Sequence, residues 1–119
     1  MSPPTPLVGG ELNAAVTRAL VGIHHDYLAR GPSTASTFHY ENVIVTLMYD
    51  VLTRADKKIS ESSRMDAVNT IRHLYQETME GDFTAAIETL TGRKVVAFIS
   101  GNHAAPDIAS ELFILDSPL

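Results

Sequence analysis

Apolar residues recur every three or four positions along two long stretches of the chain, from about Glu11 to Arg30 and from Ser63 to Thr91. This spacing places the apolar side chains on one face of an α-helix, so we expect an amphipathic helix in each stretch. Gly31 and Pro32 end the first helix, because glycine accepts the left-handed cap conformation and proline cannot continue a helix. Gly92 ends the second helix in the same way.

Residues typical of β-strands dominate the segment between these helices, from Thr34 to about Asp50. A single strand of this length would run for about 55 Å, which is too long for one small domain. The polar pair Glu41-Asn42 lies at the midpoint, and asparagine tolerates the positive φ angles that tight turns require. We therefore expect a hairpin made of the strands Ala35–Tyr40 and Val43–Tyr49. The second strand is apolar on both faces, and we expect it to be central in its sheet.

A second hairpin is expected after the second long helix, with strands Lys94–Ser100 and Ile108–Leu115 joined by a loop at Gly101–Asp107. Before that helix, Thr53 and Asp56 have the spacing of a capping box and predict a short additional helix. The order helix, hairpin, two helices, hairpin favours an α+β fold of two layers. In this fold helices cover a mainly antiparallel sheet of about four strands.

The length of 119 residues fits one domain, which we assign to residues 10–119. Residues 1–9 contain three prolines, and we expect them to form a flexible lead-in. The start has neither the cationic nor the apolar segment of a signal peptide. No apolar stretch approaches the ~20 residues that span a bilayer. These features predict a cytoplasmic protein without a transmembrane segment.

Charge and cysteine content exclude several classes of function. The net charge of -5 argues against non-specific binding to nucleic acid or anionic lipid, because such binding needs clustered cations. The chain has no cysteine, which excludes disulfides, thiolate catalysis and zinc–thiolate sites.

The five histidines are the first candidates for chemistry, and they are His24, His25, His39, His73 and His103. His24 and His25 point about 100° apart on a helix and cannot face one metal together. His103 and Asp107, which share a predicted loop, could join one of them, but no spaced ligand motif occurs. We therefore predict no metal site and no cofactor. Serine-hydrolase and phosphate-loop motifs are also missing, so the residues give no support for an enzyme and leave that question open.

Cations follow both long helices, at Arg30 beside Gly31 and at Arg93 beside Lys94. Cations at helix C-termini commonly complement the helix dipole. Alternatively, these four residues and His103 form a candidate binding site for a small anion or other ligand, held by arginine forks and backbone N–H groups.

The second long helix predicts an oligomer interface. Unbroken from Ser63 to Thr91, it would be about 43 Å long, against an expected radius of gyration of about 13 Å. Its apolar residues Tyr75, Met79, Phe83 and Ile87 would leave a patch that monomers avoid exposing, so we expect a homodimer. Packing of the same residues on the first helix is the alternative.

Four motifs in order resemble the MpsC-like family of small bacterial proteins, over about Gly10 to Asp116. They are Arg30-Gly31-Pro32, Val51-Leu52-Thr53-Arg54-Ala55-Asp56, Leu90-Thr91-Gly92-Arg93-Lys94-Val95 and Leu112-Phe113-Ile114-Leu115. Asp56 departs from the family pattern, which usually has glutamate there.

The resemblance implies a link with a sodium-translocating system that generates a membrane potential, and with genes for inorganic-carbon uptake. It carries no catalytic residues. We expect an accessory or regulatory protein that binds a protein partner, such as a membrane protein of one of these systems. The alternative is a small-ligand or anion-binding module with weak enzymatic activity.

Overall fold

The computed structural model describes residues 7–28, 30–51, 58 and 65–119. These residues form the elements α1 (Gly9–Leu28), β1 (Thr34–Tyr40), β2 (Val43–Tyr49), α2 (Met65–Thr91), β3 (Val95–His103) and β4 (Ile108–Leu115). The α+β class predicted from the sequence is confirmed. The short helix predicted from Thr53 lies outside the described residues.

The four strands form one antiparallel sheet in the order β1-β2-β4-β3, with β2 and β4 at its centre. The first hairpin turns at Glu41-Asn42 as predicted, and Glu41 has a φ of 56°. The second hairpin differs from the prediction, because β3 continues past Ser100 to His103, which pairs with Ile108. Glycine and polar residues at 101–103 indicated a loop, but pairing with β4 holds them in the sheet.

One face of the sheet packs against both helices and forms the core. Burial alternates along the central strands, so that every second residue of β2 and β4 is inaccessible to solvent. Phe113 of β4 stacks on Phe98 of β3 with ring centroids 5.0 Å apart, and Phe98 meets Phe83 of α2 edge to face at 6.4 Å. Burying a side chain of this size contributes about 1.5–3 kcal/mol, so this aromatic row is a main source of stability.

The apolar stripe of α2 packs in the core of the same chain. Met79, Phe83 and Ile87 are buried in the same core cluster as Leu20 of α1, and Tyr75 packs against it half-buried. This is the packing on the first helix that the sequence offered as the alternative to an oligomer interface. Met79, Phe83 and Ile87 therefore leave no exposed apolar patch on α2, and the homodimer stays a prediction.

The opposite face of the sheet, here named the open face, is covered by neither of the described helices. Its positions alternate with the core positions along each strand. In register they are Thr34, Ser36, Phe38, Tyr40, Val43, Val45, Leu47, Tyr49, Ala97, Ile99, Gly101, His103, Ile108, Ser110, Leu112 and Ile114.

Candidate functional site

Four ionisable side chains meet where the helices cross the end of the sheet that carries the β3–β4 loop. His24 comes from α1, Arg72 from α2, Asp107 from the loop and Glu111 from β4. His24 and Arg72 are each 5% exposed and Glu111 is 2% exposed. Arg72 Nη2 lies 3.7 Å from Asp107 Oδ1, and both side chains are buried. We name these four residues the buried polar cluster.

The backbone around the cluster holds these side chains in place. Arg72 Nη1 lies 3.5 Å from the carbonyl oxygen of His103. The carbonyl of Asp107 accepts a 3.0 Å hydrogen bond from the N–H of Asp50, which ties the β3–β4 loop to the end of β2. The cluster therefore joins the two helices to two strand ends.

His24 occupies a position in the apolar stripe of α1, four residues after Leu20. Its Nδ1 lies 3.2 Å from the carbonyl oxygen of Arg30. Because a carbonyl only accepts, Nδ1 carries the proton and donates it. Burial lowers the pKa of His24 below its usual 6.5, and the positive charges of Arg72 and Arg30 lower it further. The ring is therefore neutral at pH 7.

Glu111 is a carboxyl group at a core position of a central strand. Burial raises the pKa of Glu111 from 4.5 to about 7, while the hydroxyl of Ser100 and the charge of Arg72 partly oppose that rise. Removing a carboxylate from water costs free energy unless it is fully paired. Glu111 is consequently close to half protonated near neutral pH.

The cavity beside the cluster is small. His24, Arg72, Glu111, Tyr75 and Asn102 line a volume of about 20 Å³. A space of this size holds about one water molecule.

The five residues predicted to bind an anion or other ligand are divided between the two ends of the sheet. Arg30, beside Gly31, and His103 lie at the cluster end, where Arg30 Nη2 is 3.4 Å from the carbonyl of Asp50. Arg93 and Lys94 precede β3 at the other end. The nine residues of β3 separate the two groups by about 26 Å. The structure does not bring these residues into one pocket.

His103 and Arg93 also have hydrogen bonds inside the chain. His103 Nδ1 donates to the carbonyl of Pro106 at 2.8 Å. Arg93 Nη1 donates to the carbonyl of Thr91 at 2.9 Å, which is the helix-end contact expected of a cation after α2. Arg93 also lines a separate cavity of about 280 Å³ with Leu12 and His39.

Comparison with known proteins identifies the family. The family model "Na+-translocating membrane potential-generating system (MpsC)" matches residues 9–117. The chain belongs to the MpsC family. No curated protein and no solved structure matches it. The resemblance inferred from the sequence motifs is thus confirmed for nearly the whole chain.

The part of this MpsC chain that the structure describes contains no helix long and apolar enough to cross a membrane. Within the same residues, no group of three or more histidine or carboxylate side chains is placed to hold a metal ion. The family description associates the chain with a sodium-translocating, membrane-potential-generating system and names no reaction for it.

The sequence did not reveal Arg72 and Glu111 of the buried polar cluster as site residues. The available signal was the strand pattern of β4, where Glu111 stands between Ala109 and Phe113 at inward positions. His24 and Asp107 were considered together from the sequence, as metal ligands. The structure does bring them together, but around the guanidinium of Arg72.

Proposed function

We propose that this MpsC protein is an accessory or regulatory protein of a membrane ion-translocating or inorganic-carbon uptake system, and that it acts by binding a protein partner. The family match supports the association with a membrane system. The proposal places the chain in the cytoplasm, where it reaches the membrane through that partner.

The observation that carries this proposal is the burial of the polar cluster, in which His24, Arg72 and Glu111 are each no more than 5% exposed. Catalytic sites present their ionisable groups to a cavity that accommodates the substrate. Here His24, Arg72 and Glu111 line a cavity of about 20 Å³ that lies between α1, α2 and β4. Arg72 also ties α2 to Asp107 of the β3–β4 loop and to the carbonyl of His103. A change of charge in the cluster would act on all three elements, which is what a regulatory protein requires.

The anion-binding alternative has less support from the geometry. Its two arginines lie at opposite ends of β3, and each donates to a backbone carbonyl of its own chain. A bound anion would meet one of them and not both.

Deletion of the gene in the host, followed by complementation, tests the proposal. We expect the deletion to lower the membrane potential, measured with a potentiometric dye, and to slow sodium efflux. The wild-type chain should restore both. Glu111→Gln should restore them with a changed dependence on cytoplasmic pH, whereas the control Glu80→Gln, at an exposed position of α2, should match the wild type. Unchanged potential and sodium efflux in the deletion strain would contradict the proposed function.

A further inference from the structure

The open face is free of charged side chains. None of its sixteen positions is lysine, arginine, aspartate or glutamate, although 19% of the chain is charged. In a sheet with one face in water, polar residues on that face normally alternate along each strand with apolar residues on the core face. The central strands of this sheet instead place Val45, Leu47 and Leu112 on the open face. This composition is typical of a face that is covered.

Large apolar side chains at the two edges of the open face are exposed. Phe38 and Tyr40 of β1 are 52% and 76% exposed, and Ile99 of β3 is 60% exposed. They stand on either side of the partly exposed aliphatic residues of β2 and β4. Apolar residues thus continue across all four strands, and a contiguous patch of this kind marks an interaction surface.

The dimensions of the open face match a modest but specific interface. Four strands about 4.8 Å apart and about seven residues long present about 19 by 24 Å, or about 450 Å² as a flat rectangle. As flat rectangles, two such faces bury about 900 Å² in total. Because side chains project from each sheet, the accessible surface is larger than the rectangle, and the buried area reaches the ~1,000 Å² expected of a biological interface.

We propose that the open face binds the open face of a second copy of this chain, related by a two-fold axis. Sheets packed face to face lie about 10 Å apart with their side chains interdigitated. The resulting dimer has four layers, with helices outside and two sheets inside. A two-fold axis suits this surface because each copy contributes the same patch.

Charge favours a second copy at this face over any other part of the surface. The chain carries a net charge of -5, so two copies repel each other in general. On the open face no carboxylate meets another carboxylate, and apolar side chains on each copy cover those on the other. The proposal is independent of the proposed function, since it concerns the purified chain alone.

Sedimentation equilibrium of the purified chain and of matched lysine variants tests this interface. We expect the wild type to have twice the chain mass of 12.9 kDa at micromolar concentration. Phe38→Lys and Ile99→Lys should each weaken the dimer by about 100-fold, because each copy would bury a charge without a partner. The control Leu74→Lys changes a side chain that is 55% exposed on α2, and it should remain dimeric.

The far-ultraviolet circular dichroism of each variant shows whether it has folded. Tyr40→Lys, at the most exposed aromatic position of the face, is a further variant that leaves the core unchanged. A monomeric wild type would overturn the proposal. It would also be overturned if the open-face variants fold and remain dimeric, or if Leu74→Lys dissociates the dimer. If the wild type is monomeric and Phe38→Lys fails to restore the membrane potential, the open face binds the membrane partner instead. In that case the proposed function stands and the dimer does not.

Discussion

At the scale of single residues, Glu111 is a carboxyl group whose pKa is raised to about 7 by its environment. It lies at a core position beside Phe113, 2% exposed, with the guanidinium of Arg72 as the nearby positive charge. The fold therefore holds a carboxyl group that changes its charge near neutral pH. This property follows from burial, and so it should appear in the stability of the protein.

Glu111 should make the free energy of unfolding fall as pH rises. The folded chain holds this proton up to about pH 7, whereas the unfolded chain releases it near pH 4.5. The contribution is fully present below pH 4.5 and is lost between about pH 4.5 and 7. A rise of the Glu111 pKa from 4.5 to about 7 corresponds to about 3 kcal/mol of stability. Urea unfolding across this range should show that Glu111→Gln removes the fall and Glu80→Gln keeps it. Equal pH dependence in both variants would contradict this account of the cluster.

His24 should have the opposite effect on stability. Its folded pKa is lowered, so the unfolded chain binds a proton near pH 6.5 before the folded chain does, and stability decreases as pH falls below 6.5. His24→Asn keeps a donor toward the Arg30 carbonyl but cannot titrate. We expect it to flatten this part of the profile in urea unfolding, whereas His25→Asn at the exposed neighbouring position should not. A wild-type profile without any decrease below pH 6.5 would argue against the buried neutral ring.

The cluster could not be predicted from the sequence, because its members become neighbours only through the sheet register. Arg72 belongs to a helix whose polar residues are mostly exposed to solvent, so its sequence position does not indicate burial. Glu111 belongs to a strand whose other residues are mostly apolar. Helix capping and turn chemistry depend on residues a few positions apart, so the Gly92 cap and the place of the β1–β2 turn could be predicted. The positive φ of that turn was expected at Asn42 but belongs to Glu41, and Gly31 does not take the left-handed conformation expected of a cap. Contacts between α2 and β4 depend on strand order, which local patterns do not contain.

At the scale of elements, the apolar side chains of α2 pack in the hydrophobic core of their own chain. Phe83→Ala should lower the free energy of unfolding by about 3–5 kcal/mol, because it leaves a cavity against Phe98. Leu74→Ala, on the exposed side of α2, should change it by less than about 0.5 kcal/mol. Chemical unfolding of both variants makes the comparison. Similar small losses would show that Phe83 is not in the core.

The β1–β2 turn carries a local strain that a substitution should relieve. Glu41 has a φ of 56°, a left-handed conformation that costs most side chains about 1–2 kcal/mol. Asparagine tolerates this conformation, so Glu41→Asn should raise the melting temperature. Glu41→Ala removes the same carboxylate but keeps a Cβ in the left-handed region, and calorimetry should show no gain for it. An equal gain from both variants would mean that charge, not backbone conformation, limits the turn.

The strands also show where local patterns lead to error. The sequence at Gly101-Asn102-His103 has turn composition, yet these residues extend β3 because Ser110, Ala109 and Ile108 of β4 are available as partners. The first hairpin was predicted almost to the residue, since its length required a turn and its midpoint offered one. The second strand, Val43–Tyr49, is apolar on both faces, which predicted a central position, and β2 is central in the sheet. The same reasoning did not identify β4 as the other central strand.

At the scale of the whole molecule, the two faces of one sheet have different roles. One face packs on α1 and α2 and contains the core. The other has no lysine, arginine, aspartate or glutamate and is covered by neither of the described helices. The oligomer interface expected on α2 rested on side chains that the core already uses. The long apolar β2, which the sequence marked as apolar on both sides, was the clue to the open face.

Methyl NMR with a soluble paramagnetic agent measures directly whether the open face is covered in solution. If a second copy covers it, the methyl groups of Val45, Leu47, Leu112 and Ile99 are protected from relaxation in the wild type. They should become accessible in Phe38→Lys, while the methyl groups of Leu74, which is 55% exposed on α2, relax quickly in both proteins. Open-face methyl groups in the wild type that relax as fast as those of Leu74 would show that the face is exposed to solvent.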